Sequence, residues 1–270
     1  MSRPVSRGPV DTAMVPHSEA SATALLNLWL SRPQQTALFL DVDGTLLDIA
    51  ESPGAVVVPP GLLDALARLQ RRLDGALALI SGRPVEELDR LFQPLRLAAS
   101  GGHGAHWRET GDSPLRRTTG DLPAWLRVQL NALANRHVGI LVEDKGSSYA
   151  LHYRSAPSLA TELLAELQAL LRAPEGAGLR LLMGKQVYEV VCAGVDKARA
   201  IQRLLGTPGF AGRLPLFLGD DVTDEPAIAL MPALGGLGLS VGRALPGASA
   251  VFSDAAQVRE ALIQAGGNQR

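Results

Sequence analysis

Two aspartates separated by a single residue, Asp41 and Asp43, follow the first strongly apolar run of the chain, and an acidic cluster containing Asp220 follows a later one. Carboxylates from two such segments can share a hard divalent cation, because Mg²⁺ prefers an octahedral shell of oxygen ligands and retains several waters. Asp41 then has a free oxygen for attack on phosphorus, and Asp43 can protonate a leaving oxygen and later deprotonate a water. This pattern suits hydrolysis of a phosphate monoester, in which an anionic nucleophile must approach a dianion.

Three further side chains have the chemistry to bind a phosphoryl group. Thr45 and Ser81 offer hydroxyls, and Lys197, near a predicted helix start, offers a full positive charge. Each signal is weak alone, since a lone lysine on an amphipathic helix is usually a surface residue and adjacent aspartates usually form a solvated turn. Their joint occurrence in chain order, each at a strand end or a helix start, favours a functional site over coincidence.

A calcium-binding loop is the main alternative interpretation of the Asp-x-Asp-Gly string. The EF-hand pattern requires glycine at its sixth position and glutamate at its twelfth. Counted from Asp41, Gly44 stands fourth and Ser52 stands twelfth. The spacing therefore disfavours a calcium loop of this type.

Short apolar runs followed by helix-like stretches must position these residues, and this alternation is typical of βαβ units and an α/β fold with a parallel sheet. The predicted strands cover residues 37–40, 76–80, 95–99, 214–218 and 238–241. In an open parallel sheet the ligand site lies beyond the carboxyl ends of the strands. The acidic pair, Ser81 and the acidic cluster all follow strand ends, so we expect them to meet at one edge.

The alternation is interrupted in the middle of the chain, where the pattern predicts an inserted α+β segment. It contains two helices, 124–136 and 159–172, and strands at 140–143, 149–154, 179–183 and 187–191. We therefore predict a core formed by residues 25–105 and 193–270, an inserted unit at 106–192, and a disordered tail at 1–24. A hinge is expected near residues 104–108 and 191–195, where the chain passes between the two units.

Composition excludes several classes of function. With 26 basic and 27 acidic residues the net charge is -1, so no global field attracts nucleic acid or an anionic membrane. The single cysteine, Cys192, cannot form an intrachain disulfide or a cysteine-based zinc site, which fits a cytoplasmic protein. No secretory signal is apparent and no run of eighteen apolar residues predicts a membrane span.

The motif over residues 41–45 resembles the first motif of the haloacid dehalogenase superfamily, and the similarity extends over residues 37 to about 262. More narrowly, the chain resembles the trehalose-6-phosphate phosphatase family. The strings that carry this resemblance are Ser81-Gly82-Arg83, Gly102-His103-Gly104, Glu143-Asp144-Lys145-Gly146, Gly184-Lys185-Gln186-Val187-Tyr188-Glu189-Val190 and Gly219-Asp220-Asp221-Val222-Thr223-Asp224-Glu225. The resemblance implies a Rossmann-like core with an inserted cap, and Mg²⁺-dependent hydrolysis of trehalose 6-phosphate through an aspartyl-phosphate.

The resemblance also implies a role for each matching residue. Asp41 would be the nucleophile and a metal ligand, Asp43 the acid/base and a ligand through its carbonyl, and Asp220 a further ligand. Asp221 and Asp224 would support the metal or Lys197, while Ser81 and Lys197 would bind phosphate. The remaining implied substrate contacts are Thr45, Arg83, His103, Glu143, Lys145 and Glu189, with His152 and Arg154 as further candidates.

Three of the cap residues have a plainer interpretation. Without the resemblance, Glu143, Lys145 and Glu189 would be ordinary solvated charges on a hairpin and an edge strand, and Arg83 more readily pairs with a core carboxylate. The chain also departs from the family pattern after Glu189, at Ala198 and at Pro226.

Three hypotheses remain open from the sequence. The chain is a trehalose-6-phosphate phosphatase, a related phosphatase of another sugar or polyol phosphate, or a non-catalytic subunit that keeps the fold. The retained carboxylates of Asp41, Asp43 and Asp220 disfavour the third hypothesis. The expected partner is a small sugar phosphate, and the shared pathway adds a trehalose-6-phosphate synthase.

Overall fold

A computed structural model describes residues 21–50, 55–184 and 186–267 of the 270-residue chain. The predicted disordered tail, 1–24, falls mostly outside these ranges. Its last residues do not follow the prediction, because a helix begins at Ala22 and its N-terminus is capped by the Ser21 side chain. The cap oxygen accepts a hydrogen bond from a first-turn N–H that has no partner within the helix.

The elements follow one another in a mixed α/β order. The helices are α1 (Ala22–Leu30), α2 (Leu62–Arg72), α3 (Val85–Phe92), α4 (Ala124–Ala134), α5 (Ala160–Arg172), α6 (Lys197–Leu205), α7 (Glu225–Leu230) and α8 (Ala255–Gly267). The strands are β1 (Thr36–Leu40), β2 (Leu77–Ile80), β3 (Ala98–Gly101), β4 (His106–Arg108), β5 (Arg116–Arg117), β6 (Leu141–Asp144), β7 (Ser148–His152), β8 (Leu179–Gly184), β9 (Val187–Cys192), β10 (Leu214–Gly219), β11 (Leu237–Val241) and β12 (Ala250–Phe252).

The larger sheet has the strand order β12-β11-β10-β1-β2-β3-β4-β5, and its strands from β12 to β3 run parallel. β1 is buried along its whole length between β10 and β2. Helices on both faces of such a sheet explain why its strands are continuous apolar runs rather than alternating ones. This arrangement confirms the predicted α/β fold with a parallel sheet.

The smaller sheet is antiparallel, with the order β6-β7-β9-β8. Side chains on one of its faces, among them Tyr149, Leu151 and Val190, pack with apolar residues of α4 and α5. The other face carries Glu143, Ala150 and Glu189. Because successive strand residues point to opposite faces, the alternation separates an apolar core from a polar surface.

The boundary of the larger sheet differs from the prediction, which assigned residues 106–192 to the inserted unit. β4 pairs antiparallel with β3, and β5 pairs with β4, so residues 106–117 extend the larger sheet. Buried Arg108 anchors this edge by donating to the Leu97 carbonyl and the Asp89 carboxylate. Residues 106–108 therefore lie within the larger sheet rather than between the two units, and the chain leaves that sheet after Arg117.

Helix α1 packs on the larger sheet through Leu26 and Leu30, which are fully buried in its core, and it contacts α8. Trp29 is partly buried, and its carbonyl accepts a hydrogen bond from Thr36 at the start of β1. Over the described ranges, no helix has both the length and the apolar character needed to cross a bilayer.

Candidate active site

The carboxylate of Asp41 is fixed at the end of β1. Its backbone N–H donates to the Leu218 carbonyl of the neighbouring β10 at 3.0 Å, so the strand pairing continues to Asp41. The chain then turns sharply through Gly44, whose φ of 86° suits glycine. A Cβ on Gly44 would lie 2.1 Å from Oδ2 of Asp220. Glycine is therefore required for the two acidic segments to approach each other.

Three carboxylates form a buried cluster at this strand edge. Oxygens of Asp41, Asp220 and Asp224 all lie within 4.8 Å of one another. Asp224 is oriented by the backbone N–H groups of Asp220 and Asp221, at 3.1 and 3.0 Å. Backbone N–H groups of the turn after β10 thus hold the Asp224 carboxylate in place within the cluster.

Lys197, at the first position of α6, is the cation of this cluster. Its Nζ donates to Oδ1 of Asp41 at 2.6 Å and to Oδ1 of Asp224 at 2.7 Å. Burial lowers the pKa of Lys197, but the two carboxylates outweigh burial and raise that pKa above its usual value. The ammonium therefore stays charged in a buried position.

One lysine does not neutralise three carboxylates. Burial raises the pKa of Asp41 well above its usual range, and the charges of Asp224 and Asp220 add to this effect. Burial and the charge of Asp224 likewise raise the pKa of Asp220 to about 6. A divalent cation would relieve this repulsion, and clustered carboxylate oxygens are the ligand type that Mg²⁺ prefers. The donor set therefore fits a divalent metal.

Thr45 contacts the carboxylate cluster directly, whereas Asp221 lines the neighbouring cavity. Thr45 is completely buried, and its hydroxyl lies 3.2 Å from Oδ2 of Asp41 and 3.4 Å from Oδ1 of Asp220. Asp221 lines the cavity described below and faces Arg243 at 3.6 Å. The position of Thr45 suits orientation of the carboxylates rather than contact with a substrate.

Arg83 forms a bidentate ion pair with Asp43. Its Nε and Nη2 donate to the two oxygens of Asp43, both at 2.7 Å, and its Nη1 donates to Glu87 at 2.8 Å. Burial lowers the pKa of Arg83, but hydrogen bonds and charges from Asp43 and Glu87 raise it overall. The predicted pairing of Arg83 with a core carboxylate is thus present in the structure.

Ser81 and His103 join two loops beside Lys197. The Ser81 hydroxyl accepts from the Arg83 N–H at 3.1 Å, and the Ser81 carbonyl accepts from the His103 N–H at 3.0 Å. His103 has a left-handed φ of 55° in the turn Gly102–Gly104. Its ring approaches Gly82 so closely that a Cβ there would lie 2.6 Å from Nε2. The two glycine-containing motifs therefore fit against each other.

Glu189 lies on the smaller sheet and reaches across to the larger unit. Its Oε2 lies 3.2 Å from His103 Nε2 and 3.4 Å from Lys145 Nζ, and its Oε1 accepts from Ser148. Burial raises the pKa of Glu189, but His103, Lys145 and Ser148 lower it well below its usual range. β9 is an inner strand, and Glu189 is only 5% exposed. The interpretation as a solvated edge charge was therefore wrong for this residue.

Glu143 lies two strands from Glu189 in the smaller sheet, and Ala150 of the strand between them separates the two. Ala150 of β7 pairs with Glu143 of β6 on one side and with Glu189 of β9 on the other. Glu143 Oε2 lies 2.8 Å from His152 Nε2, and this hydrogen bond lowers the pKa of Glu143. Arg154 contacts Gln186 through its Nε at 3.1 Å.

One cavity of about 1140 Å³ brings the two sets of residues together. The core side contributes Asp41, Asp43, Ser81, Arg83, His103, Lys197, Asp220 and Asp221, and the smaller sheet contributes Glu143, Lys145, His152, Arg154 and Glu189. Glu87 and Arg243 also line the cavity, and Ser148 donates to Glu189; none of these three residues was predicted from the sequence. The available sequence signal for Ser148 is its position two residues before Ala150, which puts both residues on the same face of the strand.

A sequence model of the trehalose-phosphatase family matches residues 39–240. The chain is 42% identical over 219 residues to a probable trehalose-phosphate phosphatase of Sinorhizobium fredii, covering 80% of this chain and 82% of that protein. It is 39% identical over 208 residues to the trehalose-6-phosphate phosphatase of Escherichia coli, covering 76% and 77%.

Among solved structures, the C-terminal domain of the Candida albicans trehalose-6-phosphate phosphatase superposes with a TM-score of 0.78. The superposition covers 92% of this chain and 97% of that domain, with 23% sequence identity. At this identity the likeness is evidence for the fold alone, and it confirms the predicted fold class.

Proposed function

The chain belongs to the trehalose-phosphatase family, and we therefore propose that it hydrolyses trehalose 6-phosphate to trehalose and phosphate with Mg²⁺. The observation that carries this proposal is the shared cavity, which has a carboxylate-lysine cluster at one end and paired acidic side chains at the other. The first end has the chemistry for a phosphoryl group. The second has acceptors for the hydroxyls of an uncharged sugar.

In the first step, a carboxylate oxygen of Asp41 attacks phosphorus and the bond between phosphorus and the sugar oxygen breaks. The leaving oxygen takes a proton from Asp43, and the phosphoryl group remains on Asp41. Both oxygens of Asp43 accept from Arg83 in this structure, so the acid role requires Asp43 to be protonated and to turn from Arg83 toward the leaving oxygen. Lys197, which donates to Asp41, and Ser81, which lines the same cavity, would donate to the phosphoryl oxygens.

In the second step, a water attacks phosphorus and gives its proton to Asp43, which releases phosphate and regenerates Asp41. Asp41, Asp220 and the carbonyl of Asp43 would hold Mg²⁺, with Asp224 and Asp221 in support. The ion would supply positive charge that screens the repulsion between the nucleophile and the phosphate dianion. The raised pKa values of Asp41 and Asp220 agree with this assignment, because burial and the neighbouring carboxylates both disfavour their ionised forms when no cation is bound.

The smaller sheet is proposed to act as a cap that selects the sugar. Glu143 and Glu189 would accept hydrogen bonds from sugar hydroxyls, and Lys145 would offset their repulsion of the phosphate. His103 joins the two ends, since it contacts Glu189 of the cap and the Ser81 loop of the core. A sugar seated on the cap is thereby linked to the position of the phosphate.

A phosphate-release screen over a panel of sugar and polyol phosphates, with Mg²⁺ or with a chelator, tests the proposed function. We expect metal-dependent release from trehalose 6-phosphate at a higher kcat/KM than from any other member of the panel. Preference for a different sugar phosphate would contradict the substrate, and activity retained in the chelator would contradict the metal. Addition of Mn²⁺ or Ca²⁺ to the chelated enzyme then tests the choice of ion.

We also propose that a trehalose-6-phosphate synthase supplies the substrate. Size-exclusion chromatography of the two proteins together tests direct association. Co-elution is expected if the intermediate passes between bound enzymes, and independent elution would contradict a stable complex.

A further inference from the structure

His152 lies beside Glu143 on the cavity face of the smaller sheet. In the antiparallel pairing of β6 and β7, Leu141 is opposite His152 and Glu143 is opposite Ala150. His152 and Glu143 are therefore diagonal neighbours on one face, within reach of long side chains. Nε2 of His152 lies 2.8 Å from Oε2 of Glu143. An ionised carboxylate only accepts hydrogen bonds, so Nε2 is the donor.

The two cavity carboxylates of the cap differ in how many oxygens remain available. Glu189 is only 7% exposed at its side chain, and Ser148, His103 and Lys145 together occupy both of its oxygens. Among the described residues, the only hydrogen bond to the Glu143 side chain comes from His152, and it engages one oxygen. The Glu143 side chain is 35% exposed and lines the cavity.

This difference identifies Oε1 of Glu143 as the cap carboxylate oxygen that is open to a ligand, whereas an oxygen of Glu189 can accept from a ligand only beside a partner that it already has. A carboxylate with one oxygen tied to a fixed donor and the other facing a cavity is preorganised, because binding costs it little further rotamer freedom. The donor of His152 is already used by Glu143. The remaining Nδ1 of this tautomer can only accept, so the contribution of His152 as a hydrogen-bond donor passes through Glu143.

We propose that His152 is a positioning residue, which fixes Glu143 so that its free oxygen accepts a hydrogen bond from a sugar hydroxyl. The proposal rests on the proposed function, since it concerns how the same site recognises its sugar. It predicts a defect in sugar affinity that depends on Glu143 and leaves phosphoryl transfer intact.

Replacement of His152 by two amides provides a matched test. The Nε2 of glutamine is three bonds from Cβ, as is the Nε2 of histidine, whereas the Nδ2 of asparagine is only two bonds away. We expect His152→Asn to raise KM for trehalose 6-phosphate about tenfold, equivalent to loss of one hydrogen bond to a charged group. His152→Gln should recover most of the affinity. Both variants should keep kcat, and their activity on p-nitrophenyl phosphate should stay within about twofold of wild type.

A double-mutant cycle with Glu143→Gln separates positioning from direct contact. We expect His152→Asn to have little further effect on KM when Glu143→Gln is already present. Equal effects of His152→Asn in both backgrounds would overturn the proposal, and so would a matching loss on p-nitrophenyl phosphate. Failure of wild type to hydrolyse trehalose 6-phosphate would instead overturn the proposed function. The cycle would then be measured with whichever sugar phosphate the wild type hydrolyses, and the same criteria would apply.

Discussion

The two ends of the cavity use the same carboxylate chemistry in opposite ways. At the core end three carboxylates share one lysine, whereas at the cap end two glutamates share a lysine and two histidines. The core set is Asp41, Asp220, Asp224 and Lys197, and the cap set is Glu143, Glu189, Lys145, His103 and His152. The pKa values of Asp41 and Asp220 are raised, while those of Glu143 and Glu189 are lowered.

This contrast shows that burial alone does not decide the state of a carboxylate. Asp41 and Glu189 are 3% and 5% exposed, yet their pKa values shift in opposite directions. The difference lies in the charge of the neighbours. The core end therefore requires a cation to balance its negative charge. At the cap end, Lys145 and the two histidines already stabilise the negative charge of the glutamates, so this end is suited to a neutral ligand.

Removal of the core nucleophile should have the largest effect. Asp41→Asn is expected to reduce kcat by more than about 10⁴-fold on trehalose 6-phosphate and on p-nitrophenyl phosphate alike, because the same attack serves both. The control is Asp112→Asn, which changes an exposed aspartate outside the cavity and should be active. Residual turnover of either substrate at near wild-type rate would contradict the assignment of Asp41.

Displacement of the metal-facing carboxylate should have the next largest effect. A methyl group in Gly44→Ala would overlap Asp220, so we expect loss of roughly 10²-fold or more in kcat and a higher Mg²⁺ requirement. Gly75→Ala is a matched control, because Gly75 has a similar φ of 82° and open space around its Cβ position. Both variants bear the same kind of backbone strain, and equal activities would show that the approach of Gly44 to Asp220 is unimportant.

A change at the cap end should separate the two substrates. Glu189→Ala is expected to lower kcat/KM for trehalose 6-phosphate about 10- to 100-fold, the range for lost hydrogen bonds to a charged group. Turnover of p-nitrophenyl phosphate should change little, since that substrate has no sugar. Glu162→Ala, on the exposed side of α5, is the control. Equal losses on both substrates would count against a cap that recognises the sugar.

The pH dependence of stability should have opposite signs at the two ends in the absence of metal. The raised pKa of Asp220, about 6 against a usual 3.8, means that the folded protein loses stability as pH rises through this window. Asp220→Asn removes that loss, so its Tm at pH 7 should exceed that of wild type by roughly 2–4 °C. The two melting temperatures should converge toward pH 4.

Glu189 provides the contrasting case. Its lowered pKa means that its stabilisation is present above the usual value of 4.5 and is lost as pH falls through the folded pKa. Glu189→Gln should therefore melt below wild type at pH 7, by roughly 2–4 °C, and the difference should shrink at acidic pH. Thermal melts in a chelator measure both variants. Shifts in the same direction at pH 7 would refute the proposed contrast.

Local patterns in the sequence were sufficient to predict the core end. Asp41, Ser81 and Asp220 each follow an apolar run, and parallel strands place such residues at one edge. Lys197 is the first residue of α6, which agrees with the predicted helix start near it. Two- and three-residue strands such as β4 and β5 have no periodicity to detect, so the boundary at residue 106 was misplaced.

The cap end depended on information that no local pattern contains. Glu143 and Glu189 flank Ala150 because of the register of three strands, and register is set by tertiary packing and turn geometry. The same register brings His152 to Glu143 and Ser148 to Glu189. Sequence similarity identified the glutamates as candidates, whereas their different partners required the structure.

The most direct test of the account is chemical trapping of the phosphorylated enzyme. Wild type would be mixed with Mg²⁺ and trehalose 6-phosphate, quenched, and treated with borohydride, which reduces an aspartyl-phosphate to homoserine. We predict homoserine at position 41 by peptide mass spectrometry, and none when substrate or Mg²⁺ is omitted. Release of phosphate without any homoserine at Asp41, or with homoserine at another aspartate, would contradict the central claim.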